Sequence, residues 1–159
     1  MVDVSIRVSL LNTMLKLRDE LGVTFLFITH DLATAYYISD RIGIMLRGFI
    51  VESGPVEDVL GRPLHPYTQS LLWAVPVPDP RLAGNREHIV LEGDVPSPAN
   101  PPSGCRFRTR CFLAQEICAK VEPPLLQVGP RHKVACHFAG ELGQHPATPV
   151  TAGLLGVDD

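Results

Sequence analysis

Hydrophobic and polar positions alternate with two different periods along this chain. Residues 3–22, DVSIRVSLLNTMLKLRDELG, place Val4, Val8, Leu11 and Leu15, and beside them Leu10, Met14, Leu17 and Leu21, on one face at helical spacing. Asp3 or Ser5 can cap the start of that helix, and Gly22 can end it. VTFLFIT, residues 23–29, is apolar at nearly every position, which predicts a strand covered on both faces, as in a parallel sheet. DLATAYYIS predicts a short helix. RIGIML and FIVESG predict two strands turned by Arg47 and Gly48, with Gly48 supplying the positive φ of a tight turn. PVEDVLGRP predicts a short helix with Pro55 at its first position, and HPYTQSLLWAV another that stops before Pro76.

Composition changes the picture past that point. None of the 15 prolines precedes Pro55, and they cluster in PVPDP (residues 76–80) and VPSPANPPSG (residues 95–104). All four cysteines lie in this later stretch. The shift marks a boundary near Val75 and divides the chain into residues 1–75, regular α/β; 76–139, loop-rich and cysteine-bearing; and 140–159, a disordered tail rich in small residues. The formal charge of −3 is mild and spread out, so no basic stripe points to nucleic acid. No apolar run reaches the roughly 18 residues of a membrane span. MVDVSIRVSLL does not read as a secretory leader, so the expectation is a cytosolic protein whose cysteines are ligands or free thiols rather than disulfides.

The order of elements fits a βαβ unit followed by a hairpin. In such sheets ligands gather at the carboxyl ends of strands. His30 and Asp31 stand at one of those ends, just before a helix N-terminus, where an imidazole is well placed to meet a phosphate. The plainer reading is that Asp31 caps the helix and His30 is an ordinary loop histidine. Position alone favours the plainer one.

The wording of the sequence shifts that balance. VDVS, then THD at residues 29–31, then the RG turn with IVESG, then HPYT followed by LLWAVP, then GCRFRTRC and VACH occur in one order. In that order they resemble the C-terminal part of an ABC transporter ATP-binding subunit of the oligopeptide/dipeptide importer subgroup, which includes some nickel and glycoside importers. The resemblance runs from Val2 to about Phe138. It implies a fold class of α/β: a partial P-loop NTPase (ABC nucleotide-binding) fold lacking its N-terminal half, followed by a small irregular cysteine-containing C-terminal domain. It places Asp3 at the aspartate of the D-loop, His30 at the switch histidine that contacts the γ-phosphate of ATP, and Asp31 beside it at the nucleotide interface. The implied cofactors are ATP and Mg2+. The implied partners are a second ATP-binding subunit, as homo- or heterodimer, and transmembrane permease subunits, with the protein peripheral on the cytoplasmic face of the membrane.

Much of that machinery is absent from the chain. No GxxxxGK[ST] occurs, so no P-loop cradles phosphates here. There is no adjacent glycine pair and hence no glycine-rich signature loop. No apolar strand ends in an Asp–Glu pair: Asp19 and Glu20 lie on the amphipathic helix. The expectation is a truncated or split subunit, or an alternative start, which alone does not hydrolyse ATP and which leaves residues 23–29 as an unpaired edge.

Cys105, Cys111, Cys118 and Cys136 have five, six and seventeen residues between them, without the paired CxxC of a zinc ribbon. Four thiolates suit zinc or an iron–sulfur cluster. Cys111 and Cys118 are two helical turns apart in CFLAQEIC, and His137 is an alternative ligand. The plain alternative is buried cysteines that only pack. In the subgroup that the chain resembles, the corresponding cysteines are those proposed to hold a [4Fe–4S] cluster. Arg106, Arg108 and Arg110 either offset thiolate charge or are exposed strand residues. The competing function is a non-catalytic cysteine-cluster module, iron–sulfur or zinc, that binds a partner.

Overall fold

The computed structural model describes residues 4–75, 91 and 100–139. Two compact units divide between Asp40 and Arg41. The compositional break near Val75 therefore falls inside the second unit.

The first unit holds α1 (Val4–Leu21) and α2 (Leu32–Ile38). α1 ends as its sequence requires: Gly22 takes φ +64° and its N–H donates to the Arg18 carbonyl at 3.0 Å. Asp3 lies outside the described residues. Of the apolar face, Leu11 is buried, Met14 and Leu15 are half-buried, and Val8, Leu10, Leu17 and Leu21 are exposed. Tyr37 on α2 donates its hydroxyl to Asn12 on α1 at 2.5 Å.

Residues 23–29 overturn the strand covered on both faces that their apolar content predicts, and match the unpaired segment expected where the central strands are missing. They are extended neither in a ladder nor between two covering faces: among the described residues they have no strand partner, and Leu26 and Ile28 are 92% and 85% exposed. The apolar run satisfies the composition of a buried strand, but a strand needs neighbours to bond its backbone. No parallel ladder occurs among the described residues, so the expected βαβ pairing is not formed there.

The second unit is built on the hairpin of β1 (Arg41–Leu46) and β2 (Phe49–Pro55). Its turn has φ +51° at Arg47 and +82° at Gly48, the paired positive values that let a two-residue loop follow the twist of the strands. The register slips between Ile44 and Met45. α3 (Val56–Gly61) follows, with Pro55 as its N-cap residue rather than its first helical one. α4 (Pro66–Ala74) starts at Pro66, and Leu72 is fully buried while Leu71 and Trp73 are half-buried.

The cysteine-bearing stretch folds against this hairpin. It contributes a 3-10 turn (Arg108–Arg110), α5 (Glu116–Lys120), β3 (Leu126–Gln127) and β4 (Lys133–Val134). The sheet order is β1-β2-β4-β3, all antiparallel, and β4 pairs Glu52 with Val134 and Ser53 with Lys133. The bond from Ala135 N–H to the Val51 carbonyl, 2.8 Å, prolongs that ladder. The late segment thus continues the sheet that the hairpin begins.

A buried carboxylate joins these pieces. Glu52 is fully buried on β2, and its Oε1 accepts from the Leu64 N–H (2.7 Å) and lies 2.8 Å from His132 Nε2. Its Oε2 accepts from the His65 N–H at 3.1 Å. One side chain therefore satisfies the backbone entering α4 and holds the imidazole before β4, as a buried polar group demands.

Candidate functional site

Two sets of residues carry chemistry. The first is the corner at the end of residues 23–29. His30 is exposed there. Asp31 is the N-cap of α2: one carboxylate oxygen accepts from the Ala33 N–H (3.0 Å) and the Thr34 N–H (3.3 Å), the other from the Thr34 hydroxyl (2.6 Å). The bond from the Thr34 hydroxyl, with the backbone bonds and the nearby Arg7, holds its pKa below the usual carboxylate range. Thr29 Oγ1 accepts from the Asp31 N–H at 3.0 Å. The capping role expected from position is thus present. It fixes the backbone that presents His30 to solvent.

The second set is the four cysteines, all free. Cys111 and Cys118 do not share a helix: α5 begins only at Glu116, after a turn that starts at Cys111. All four nonetheless line one narrow cavity, with Phe107 and His137 beside them. Gly104 makes the convergence possible. It takes φ +64°, and a Cβ there would stand 2.4 Å from the Cys118 carbonyl oxygen. Without one, the Cys105 N–H reaches that same carbonyl at 2.7 Å.

Backbone N–H groups two residues on point at three of the sulfurs. Phe138 N lies 3.4 Å from Cys136 Sγ. Backbone bonds from Leu113 and from Phe107 and Arg108 serve Cys111 and Cys105 in the same way. Burial still dominates: it raises the Cys105 thiol and pushes Cys111 up to about 12 and Cys136 up to about 11, so these groups are neutral thiols at pH 7 in this conformation. The space between them is small, about 10 Å3. Among the described residues no three His, Cys, Asp or Glu side chains converge closely enough for one ion. The donor set is four sulfurs, with backbone N–H groups aimed at three of them. The present spacing does not gather those sulfurs around a single ion, so binding would need the side chains to rearrange and the thiols to lose their protons. His137 turns away, its Nε2 lying 3.0 Å from the Val121 carbonyl.

Arg106, Arg108 and Arg110 are not strand residues. The last two form the 3-10 turn, where Arg108 Nε donates to the Ser103 carbonyl at 2.8 Å. The guanidinium of Arg106 lies 3.6 Å from the centroid of the Phe49 ring, away from a purely thiolate-facing role.

His65 fixes the entry to α4 as its N-cap residue. Its Nδ1 accepts from the Tyr67 N–H at 3.0 Å, and its ring bonds the Ala135 backbone. Burial lowers its pKa to about 4. Phe107 packs against both rings, 6.0 Å from His65 and 5.4 Å from Tyr67. Glu52, His132 and Gly104 were not singled out from sequence. The usable signal was a lone carboxylate inside an apolar hairpin strand.

Similarity to known proteins follows the same segments. The sequence model of the oligopeptide/dipeptide transporter C-terminal region matches residues 51–118, which take in most of β2, all of α3 and α4, and three of the four cysteines. The putative oligopeptide transport ATP-binding protein YkfD of Bacillus subtilis is 48% identical over 137 residues, 86% of this chain and 42% of that protein. The chain corresponds to the C-terminal part of such a subunit. The oligopeptide transport ATP-binding protein OppF of Escherichia coli is 49% identical, across 85% of this chain and 40% of its own length. A putative peptide import ATP-binding protein of Brucella ovis is 50% identical, with 85% and 42% covered. The chain thus spans about two fifths of the length of these curated relatives. Among the described residues no helix is long and apolar enough to cross a membrane.

Proposed function

We propose that this chain is the part of an ATP-driven peptide importer subunit that contributes the switch histidine and D-loop residues to ATP hydrolysis, with His30 contacting the γ-phosphate and Asp3 and Asp31 at the nucleotide interface. The observation that carries the reading is the identity of 48–50% to peptide-import ATP-binding proteins over a stretch that includes 85% or more of the chain. The corner geometry supports it: His30 is solvent-facing, and its backbone is pinned by Asp31 bonds to Ala33 and Thr34. ATP with Mg2+ supplies the phosphoryl chemistry, and P-loop, signature and metal-binding residues come from sequence this chain does not contain. A second ATP-binding subunit and membrane permease subunits are the partners, which puts the protein at the cytoplasmic face of the membrane. Peptides are the transported class.

The four cysteines add a structural centre to this reading. Cys105, Cys111, Cys118 and Cys136 would hold it as thiolates, a [4Fe–4S] cluster with zinc as the alternative, because the donor set lining that cavity is four sulfurs.

The test joins this chain to the P-loop-containing N-terminal part of a relative and measures ATP hydrolysis. His30→Ala in that intact subunit should lower turnover on the order of a hundredfold, the scale of losing one group aimed at developing charge. Unchanged hydrolysis in the variant would remove His30 from the mechanism.

A further inference from the structure

Two of the four thiols in the narrow cavity are joined by more than a shared space. The Cys105 N–H donates to the Cys118 carbonyl at 2.7 Å. A Cβ on Gly104 would collide with that same carbonyl, and the Ser103 hydroxyl donates to the Ala119 carbonyl at 2.9 Å. Residues 103–105 therefore run beside residues 118–119 with their backbones in contact. Across a hydrogen-bonded backbone pair the Cα atoms stand about 5.5 Å apart, inside the roughly 4.4–6.8 Å that a disulfide spans. Both cysteines line the same cavity. Charge on Cys118 raises the Cys105 thiol, which puts the two sulfurs near each other. No other two of the four cysteines share a backbone bond.

The two differ in access. Cys118 is buried and Cys105 half-buried. A wider cavity of about 370 Å3 in the same unit is lined by Cys105 and by no other cysteine. Phe49, Ile50 and Leu125, all exposed, line it too, so it opens to solvent. A small molecule entering there meets Cys105 before it meets Cys118.

We propose that in the metal-free protein Cys105 and Cys118 close into a reversible disulfide, with Cys105 meeting a small-molecule disulfide as the oxidant and Cys118 resolving it. The Cys105 sulfur attacks one sulfur of the oxidant. A bond forms between them, the oxidant's S–S bond breaks, and one half leaves as a thiol with the proton that Cys105 gave up. The Cys118 sulfur then attacks that of Cys105. The protein disulfide forms, and the other half leaves as a thiol with the proton from Cys118. Two protein thiols are oxidised, and one small disulfide is reduced to two thiols. The first step is slow, because burial disfavours the attacking thiolate; the second is intramolecular. Linked protein keeps only Cys111 and Cys136 as thiols, so oxidation and a four-thiolate centre exclude each other. That consequence rests on the cysteines' being ligands; the disulfide itself does not.

For the test, the full chain is reduced, stripped of metal by a chelator and exposed to 2-hydroxyethyl disulfide. Samples are quenched with N-ethylmaleimide at intervals and mapped by proteolysis and mass spectrometry. The expected result is a hydroxyethyl adduct on Cys105 first, then a Cys105–Cys118 link that dithiothreitol reverses. In Cys118→Ser the link should be lost and the Cys105 adduct should persist. Should that variant fail to fold, the parent protein in urea decides. Loop closure in an unfolded chain favours the shorter spacings, Cys105–Cys111 and Cys111–Cys118, so the preference for Cys105–Cys118 must vanish there. Any of four results overturns the proposal: no internal disulfide, a first adduct on Cys111 or Cys136, a Cys111–Cys136 link in place of Cys105–Cys118, or a Cys105–Cys118 link as abundant in urea as in buffer.

Discussion

At the scale of single residues, the buried histidine that starts α4 links structure to pH. His65 cannot charge in place without losing the bond that its Nδ1 accepts from Tyr67. Burial lowers its pKa from 6.5 to about 4, so between those values the unfolded chain takes up a proton that the folded chain does not. Its contribution is therefore complete above pH 6.5 and is lost as pH falls toward 4, a difference on the order of 3 kcal/mol. His65→Asn keeps a side chain able to cap a helix and removes the titration. The variant should show a smaller drop in urea midpoint between pH 7 and pH 4.5 than the parent. An equal drop in both proteins would show that other groups carry the acid sensitivity.

At the scale of elements, backbone chemistry local in sequence could be read in advance, and close approach between distant segments could not. The hairpin and its turn at Arg47 and Gly48 follow from alternation and a glycine. α1 and its stop at Gly22 follow from period and cap. β3 and β4 are two residues each, too short to carry any period, and they form because β2 offers a ladder. Residues 23–29 divide the two kinds of signal: apolar content alone suggested a covered strand, while the absence of the motifs that accompany its neighbouring strands pointed to the unpaired segment that is found. The four cysteines stood out by clustering, but the glycine that lets two of them meet did not. Gly104 and Gly48 separate the two demands on glycine. Both have positive φ, yet a Cβ at Gly48 meets nothing within 4 Å, while at Gly104 it meets the Cys118 carbonyl at 2.4 Å. Gly48→Ala should cost about 1–2 kcal/mol, the penalty of left-handed backbone. Gly104→Ala should cost about 3 kcal/mol or more, because backbone must move as well. It should also speed the reaction of the cysteine thiols with Ellman's reagent, since the Cys105–Cys118 backbone bond is broken. Equal denaturation midpoints for the two variants would remove the close approach as a determinant.

At the scale of the whole molecule, the cysteine segment and the hairpin are one sheet, and this decides how far loss of a metal centre would travel. A loop-rich module hung after Pro76 would fail alone. Here β4 bonds β2 directly, and Glu52 ties His132 to the entry of α4. Anaerobically prepared protein should be brown and contain iron and acid-labile sulfide in comparable amounts. Cys111→Ser or Cys118→Ser should release the iron. Hydrogen exchange should then quicken in β3 and β4 and also in β2, whose ladder partner is loosened, while α1, in the other compact unit, stays as it was. Zinc without iron would replace the cluster and leave the structural role standing, because four thiolates also close a tetrahedral site. Four titratable thiols in a metal-free protein, with exchange unchanged in both variants, would reduce the cysteines to packing. Their position on one cavity would then reflect the fold of the segment alone.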